Sequence, residues 1–134
     1  MRSLLAVTAV LEAVAGLALV VSPALFVGLL LGTSFDTPAG LAVGRITGAA
    51  LVALAVACWV ARDNPPGRAA QGLIAAMLFY NIAVVAILTH ARIFSNIFGI
   101  AFWPAVVLHG VMAVWCVAGL RVRRIAPAMR VEQR

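Results

Sequence analysis

Glu12, Arg45, Asn81 and His109 are the side chains in this sequence whose types could carry chemistry, and each interrupts a long apolar run. A carboxylate beside a guanidinium can lock helix register as an ion pair, or act as a titrating group that a cation switches. An amide and an imidazole can orient either one or hold a ligand. Ionisable groups isolated at the centre of an apolar span cost about 2.5 to 3.5 kcal/mol each on insertion scales, so partners are expected. The simplest expectation is a Glu12–Arg45 ion pair supported by Asn81 or His109. Thr8, Thr47 and Tyr80 add hydroxyls that could line a cavity around this cluster, with lipid-facing or packing roles as the alternative.

No pattern identifies a reaction, and no catalytic residue is assigned. No cofactor or metal is expected either. Cys58 and Cys116 form no CxxC and have no histidine at metal-ligand spacing, so they read as small apolar packing residues. His109 reads as a bundle-interior histidine before it reads as a ligand. His90 falls near an interface.

The elements that must position these residues follow from composition. The chain has 134 residues, 65% of them hydrophobic and only 10% charged, with a mean hydropathy of +1.13. That balance describes a single integral membrane domain over 1–134 rather than a water-soluble one. The net charge of +6 comes from arginine alone, and most arginines cluster between Arg62 and Arg68 or after Leu120. Such clustering is what membrane orientation produces, whereas nucleic-acid binding needs a basic face on a soluble scaffold, so no nucleic-acid partner is expected.

The run from Leu4 to Leu31 exceeds the roughly 20 residues needed to cross a bilayer, and Ser22-Pro23 divides it. Serine before proline is a cap-and-first-turn signal. It predicts a span over about 4–21, then a short apolar helix over about 23–31 that continues it with a kink or lies at the interface. Glu12 argues against reading the first stretch as a cleaved secretory signal. Thr37-Pro38 repeats the start signal for a second span over about 38–61. The two prolines and glycine between Arg62 and Arg68 stop it. A third span is predicted over about 69–89, an interfacial segment over about 90–99, and a fourth span over about 103–120 starting at Trp103-Pro104. A basic tail, 121–134, follows. The fold class is therefore all-α, a four-transmembrane-helix bundle.

With both termini and the 62–68 loop on one side, that side carries Arg2, Arg62, Arg68, Arg121, Arg123, Arg124, Arg130 and Arg134, against Arg92 alone on the other. The positive-inside rule then places both termini in the cytoplasm and the chain in the cell inner (plasma) membrane as a multi-pass protein. The bilayer is the first partner. The tail could bind anionic lipid headgroups, and a homo-oligomer or larger membrane complex is open. At about 1.5 Å per helical residue, Glu12 lies roughly 12 Å and Asn81 about 17 Å from the cytoplasmic ends of their helices. On the same measure Arg45 and His109 lie about 10 and 8 Å from the outer ends, so all four approach one central slab.

Gly40, Gly44 and Gly48 form a four-spaced small face on the second span, and Thr8, Glu12 and Gly16 form a matching one on the first. These two faces are expected to meet, which carries Glu12 directly towards Arg45. An even split into two parallel hairpins is open to the chain, but residue identities do not line up as an internal repeat.

The plan of four short helices with both ends inside and an outer apolar connection, together with the run GRITGAALVALAVACW, resembles the small bacterial integral membrane proteins grouped as DoxX-like. The resemblance implies a four-helix membrane fold and, for some members, a link to quinone or sulfur redox systems. It assigns no residue. A carboxylate in the first helix, within LEAVAG, is also similar to the small multidrug transporters, from which the chain departs through Arg45 and the proline-interrupted first run.

Three functions follow in order: a non-enzymatic accessory or structural membrane component whose polar cluster stabilises the fold, a proton-coupled small-molecule transporter using Glu12 with Arg45 as its switchable partner, and a quinone-associated redox protein using His109, Asn81 and Tyr80.

Overall fold

In the computed structural model the backbone is described for residues 1–63 and 67–131, and side chains for 1–63 and 67–121. The order is α1 (Arg2–Val21), α2 (Pro23–Leu31), α3 (Pro38–Ala61), α4 (Arg68–Ser95) and α5 (Phe102–Val131), with no strand among the described residues. Helices α1, α3, α4 and the Phe102–Arg121 part of α5 are long and apolar enough to cross a membrane. Their outward faces carry large exposed hydrophobic side chains, such as Val14, Ile46, Phe79 and Val114. A surface of that kind is stable against lipid and costly against water.

The proline signals place three of the helix starts. Pro38 opens α3, and the Thr37 hydroxyl accepts a hydrogen bond from the Gly40 amide at 3.1 Å. Ser22 separates α1 from α2 with φ −142° and ψ 71°, but its side chain makes no cap bond. Helical bonds still flank the break, Ser22 N–H to Ala18 O at 2.8 Å and Phe26 N–H to Ser22 O at 3.1 Å. The interruption is one residue wide, at the proline that cannot donate.

Two boundaries differ from expectation. Helix α4 runs on to Ser95, so 90–95 are its last turns and the helix does not end near 89. His90 and Arg92 do not stop a helix in themselves. The stop comes from Asn96, which takes a left-handed φ of 51°, with Ile97 N–H bonding back to Ala91 O at 3.3 Å. Helix α5 likewise continues past Leu120 to Val131. The tail arginines Arg123, Arg124 and Arg130 lie beyond the described side chains, and Arg134 lies outside the described residues.

The helices associate as two hairpins, α1 with α3 and α4 with α5, which touch each other more sparsely. The α1–α3 approach rests on two glycines. A Cβ on Gly48 would lie 2.6 Å from the Gly16 carbonyl oxygen, and one on Gly16 would lie 2.7 Å from the Gly48 oxygen. Gly44 sits against Pro23, and Gly40 against Thr37 and the Phe35 ring. The hairpins share a core at the end where the N-terminus lies, made by Leu4, Leu5, Cys58, Ile74, Met77 and Cys116 among others. Both cysteines are free and buried there.

At the opposite end, Gly99 N–H donates to Leu30 O at 3.0 Å and Ala101 N–H to Leu29 O at 2.9 Å. These bonds satisfy carbonyls that the end of α2 would otherwise leave bare, and they tie the first hairpin to the α4–α5 connection. Gly32 makes the turn with φ +70°, and a side chain there would also run into the Phe98 carbonyl.

Candidate functional site

Between the shared core and this backbone clip the two hairpins part, leaving a cavity of about 570 Å³ lined from α1, α2, α4 and α5. Its wall is apolar except for Thr8, Glu12, Tyr80, Asn81 and His109. Val14, Leu29 and Leu108 line it while staying exposed, so the cavity is open along the flank where α1, α2 and α5 diverge. Its mouth therefore looks out through the apolar belt rather than through an end of the bundle.

Three of the four residues singled out as a polar cluster share this cavity. Asn81 is 2% exposed, and its Nδ2 donates to the Met77 carbonyl at 2.7 Å, one turn back on α4. The amide orientation is thereby fixed with Oδ1 free to accept, and His109 Nδ1 lies 2.8 Å from it. For that contact to be a hydrogen bond His109 must carry its proton on Nδ1, which leaves Nε2 of the neutral ring as an acceptor. The bond joins α4 to α5 in the middle of the span. Tyr80 meets the His109 ring edge-to-face, with centroids 5.7 Å apart.

Glu12 is 5% exposed and lines the same cavity from α1. Among the described residues it makes no salt bridge, and no side-chain hydrogen bond reaches it. No fully enclosed side-chain oxygen or nitrogen there lacks a partner, so the Glu12 carboxyl meets the cavity space rather than being sealed in the packing. Among the described residues this is the most unusual group: a carboxyl deep in an apolar bundle with no cation beside it.

Arg45 is the correction. It is exposed on α3 and forms no salt bridge among the described residues, so the expected Glu12–Arg45 pair is absent there. The reason is register. Antiparallel α1 and α3 cross at Gly16 and Gly48, and from that crossing Glu12 lies one turn towards the N-terminal end of the bundle. Arg45 lies most of a turn the other way, which separates the two by about 10 Å along the axes. Thr47 is also exposed, and its hydroxyl donates to its own helix at Val43 O, 2.9 Å away, so it does not line the cavity. Thr8 and Tyr80 do. The glycine faces meet at Gly16 and Gly48, while Gly40 and Gly44 pack against the kink and the turn before α3.

Apolar residues with no chemical signal of their own in the sequence form much of the wall. Phe26, Leu29 and Leu30 of α2, and Ala101, Pro104 and Ala105 at the start of α5, close the outer part of the cavity. The clip between Leu30 and Gly99 brings those segments together. Gly32 and Gly99 are its only local signals in the sequence, and neither names its partner.

At the opposite end Arg2 and Asp63 pair at 3.3 Å, and Arg62 lies over the Trp59 ring at 3.2 Å. These contacts place the N-terminus and the Arg62–Asp63 end of α3 at one end of the bundle. The chain matches no protein-family model, and comparison with curated proteins and with solved structures gives no match either.

Proposed function

We propose that this chain is a small multi-pass protein of the cell inner membrane, with both termini cytoplasmic, that holds a lipid-soluble small molecule in the cavity beside Glu12 as a non-enzymatic accessory component. The observation that carries the reading is Glu12, a carboxyl without a cation partner among the described residues, facing a cavity of about 570 Å³ that is open on the apolar flank. Small-molecule sites have this character, an apolar wall with a few convergent polar groups and a volume of roughly 300 to 1,000 Å³. A purely structural polar pair would instead have its groups closed on each other, as Asn81 and His109 are.

The test is thermal stability of the protein in lipid nanodiscs across a panel of lipophilic compounds, with native mass spectrometry for retained molecules. Stabilisation by at least one compound in the wild type, lost when Ala105→Trp fills the cavity, is the expected result. A flat response to every compound, with no retained mass, overturns the reading.

A second reading is favoured by the placement of Arg45. A guanidinium beside Glu12 would neutralise it, and the register that separates them leaves the carboxyl free to exchange a proton for a ligand, as a proton-coupled transporter requires. That reading expects proton-linked flux in proteoliposomes that vanishes in Glu12→Gln while the fold persists. The redox reading has less support, because Asn81 and His109 are already engaged with each other and with Met77.

A further inference from the structure

The site sets a carboxyl among neutral polar groups. Thr8 and Tyr80 line the cavity with hydroxyls that can donate or accept, and Asn81 directs one amide hydrogen at the Met77 carbonyl while its oxygen accepts from His109 Nδ1–H. Nε2 of His109 is then an acceptor on a side chain that lines the cavity, and Glu12 presents a carboxyl to the same space. Among the described residues no arginine lines the cavity. An anionic ligand would find no guanidinium among the described lining residues to balance its charge, and a neutral alcohol offers a single donor. A protonated amine offers several donors and the opposite charge, and its apolar body matches a wall built from Leu, Val, Phe and Ala side chains.

We propose that the ligand of this cavity is a lipophilic amine, bound as its ammonium ion against the Glu12 carboxylate with His109 Nε2 as a second acceptor. The proposal rests on the reading of the cavity as a ligand site. The amine enters from the lipid as the uncharged base through the flank between α1 and α5. In the cavity the Glu12 carboxylic acid gives its proton to the amine nitrogen. The O–H bond breaks, an N–H bond forms on the nitrogen lone pair, and the ion pair that results is net neutral in the membrane. Departure of the base returns the proton to Glu12. Tyr80, edge-on to His109, holds the imidazole in place and is a positioning residue.

The experiment uses the full chain in nanodiscs and three photoreactive probes with the same ten-carbon, diazirine-bearing body but an amine, a hydroxyl or a carboxylate head. Labelled residues are mapped by mass spectrometry, with empty discs as background. The expected result is saturable labelling of cavity residues of α1 and α5 by the amine, competed by unlabelled decylamine. The alcohol and acid should need roughly tenfold higher concentration or more, as a charge-assisted contact implies. Glu12→Gln should remove the preference for the amine head. The comparison of heads needs only the wild-type chain, so it decides the matter even where Glu12→Gln does not fold. Equal labelling by all three probes, abolished by Ala105→Trp, leaves the cavity a ligand site and overturns the amine assignment. No saturable labelling by any probe overturns the ligand site itself.

Discussion

At the scale of single residues, the central fact is that a carboxyl and a guanidinium on neighbouring helices do not meet. A buried carboxyl without a cation raises the energy of the folded state, so Glu12→Gln is expected to keep or raise the thermal midpoint in detergent. A clear drop would mean that a cation sits beside Glu12 after all. The same geometry makes the Glu12→Gln, Arg45→Met double-mutant cycle additive within about 0.5 kcal/mol, since the side chains share no partner. A coupling well above that would restore the ion pair. Asn81 and His109 should behave in the opposite way. The cycle of Asn81→Leu with His109→Phe is expected to show coupling of about 0.6 kcal/mol and at most about 1.7, the range for hydrogen bonds between helices in a membrane.

At the scale of elements, the close contact of α1 and α3 decides most of the geometry, and it depends on having no Cβ at the crossing. Gly48→Ala would place a methyl 2.6 Å from one backbone atom and 2.8 Å from another, which only separation of the helices relieves. Its expected cost is about 1 to 3 kcal/mol, readable as a lowered midpoint. Gly72→Ala and Gly110→Ala are the controls, because nothing lies within 4 Å of a Cβ at either position. They should be neutral or stabilising by up to about 1 kcal/mol through helix propensity. Equal behaviour of Gly48 and Gly72 variants would remove the crossing as the determinant of register. The kink at Ser22-Pro23 matters for the same reason: it swings Phe26, Leu29 and Leu30 over the cavity that a straight first helix would leave uncovered.

At the scale of the whole molecule, two hairpins share a packed core at one end, part in the middle, and are tied again by backbone hydrogen bonds at the other. The end bearing Arg2, Arg62 and Asp63 is where the arginines of the sequence gather, so a fluorescent protein fused to the C-terminus should mature in the cytoplasm and a periplasmic phosphatase fused there should stay inactive. The reverse pattern would invert the proposed orientation. Removing residues 121–134 is expected to weaken the preference for anionic vesicles in a flotation assay, and an unchanged preference would take the tail out of lipid binding.

Four apolar segments, the proline signals at three helix starts and the candidate polar residues could all be read along the chain, because lipid as solvent demands long apolar runs and makes each polar interruption conspicuous. Thr37-Pro38 is an instance: cap and start are local, and local chemistry settles them. Which interruptions face one another was not legible in this way. Glu12 and Arg45 looked like partners because opposite charges at similar depth attract, yet sterics at Gly16 and Gly48 set where α1 and α3 cross, and that crossing carries the two charges apart. The side chains that join Glu12 come from the other hairpin, placed by contacts between segments remote in sequence such as Leu30 with Gly99. Burial and depth belong to a segment by itself. Register and the shape of the space between segments arise only when backbones pack.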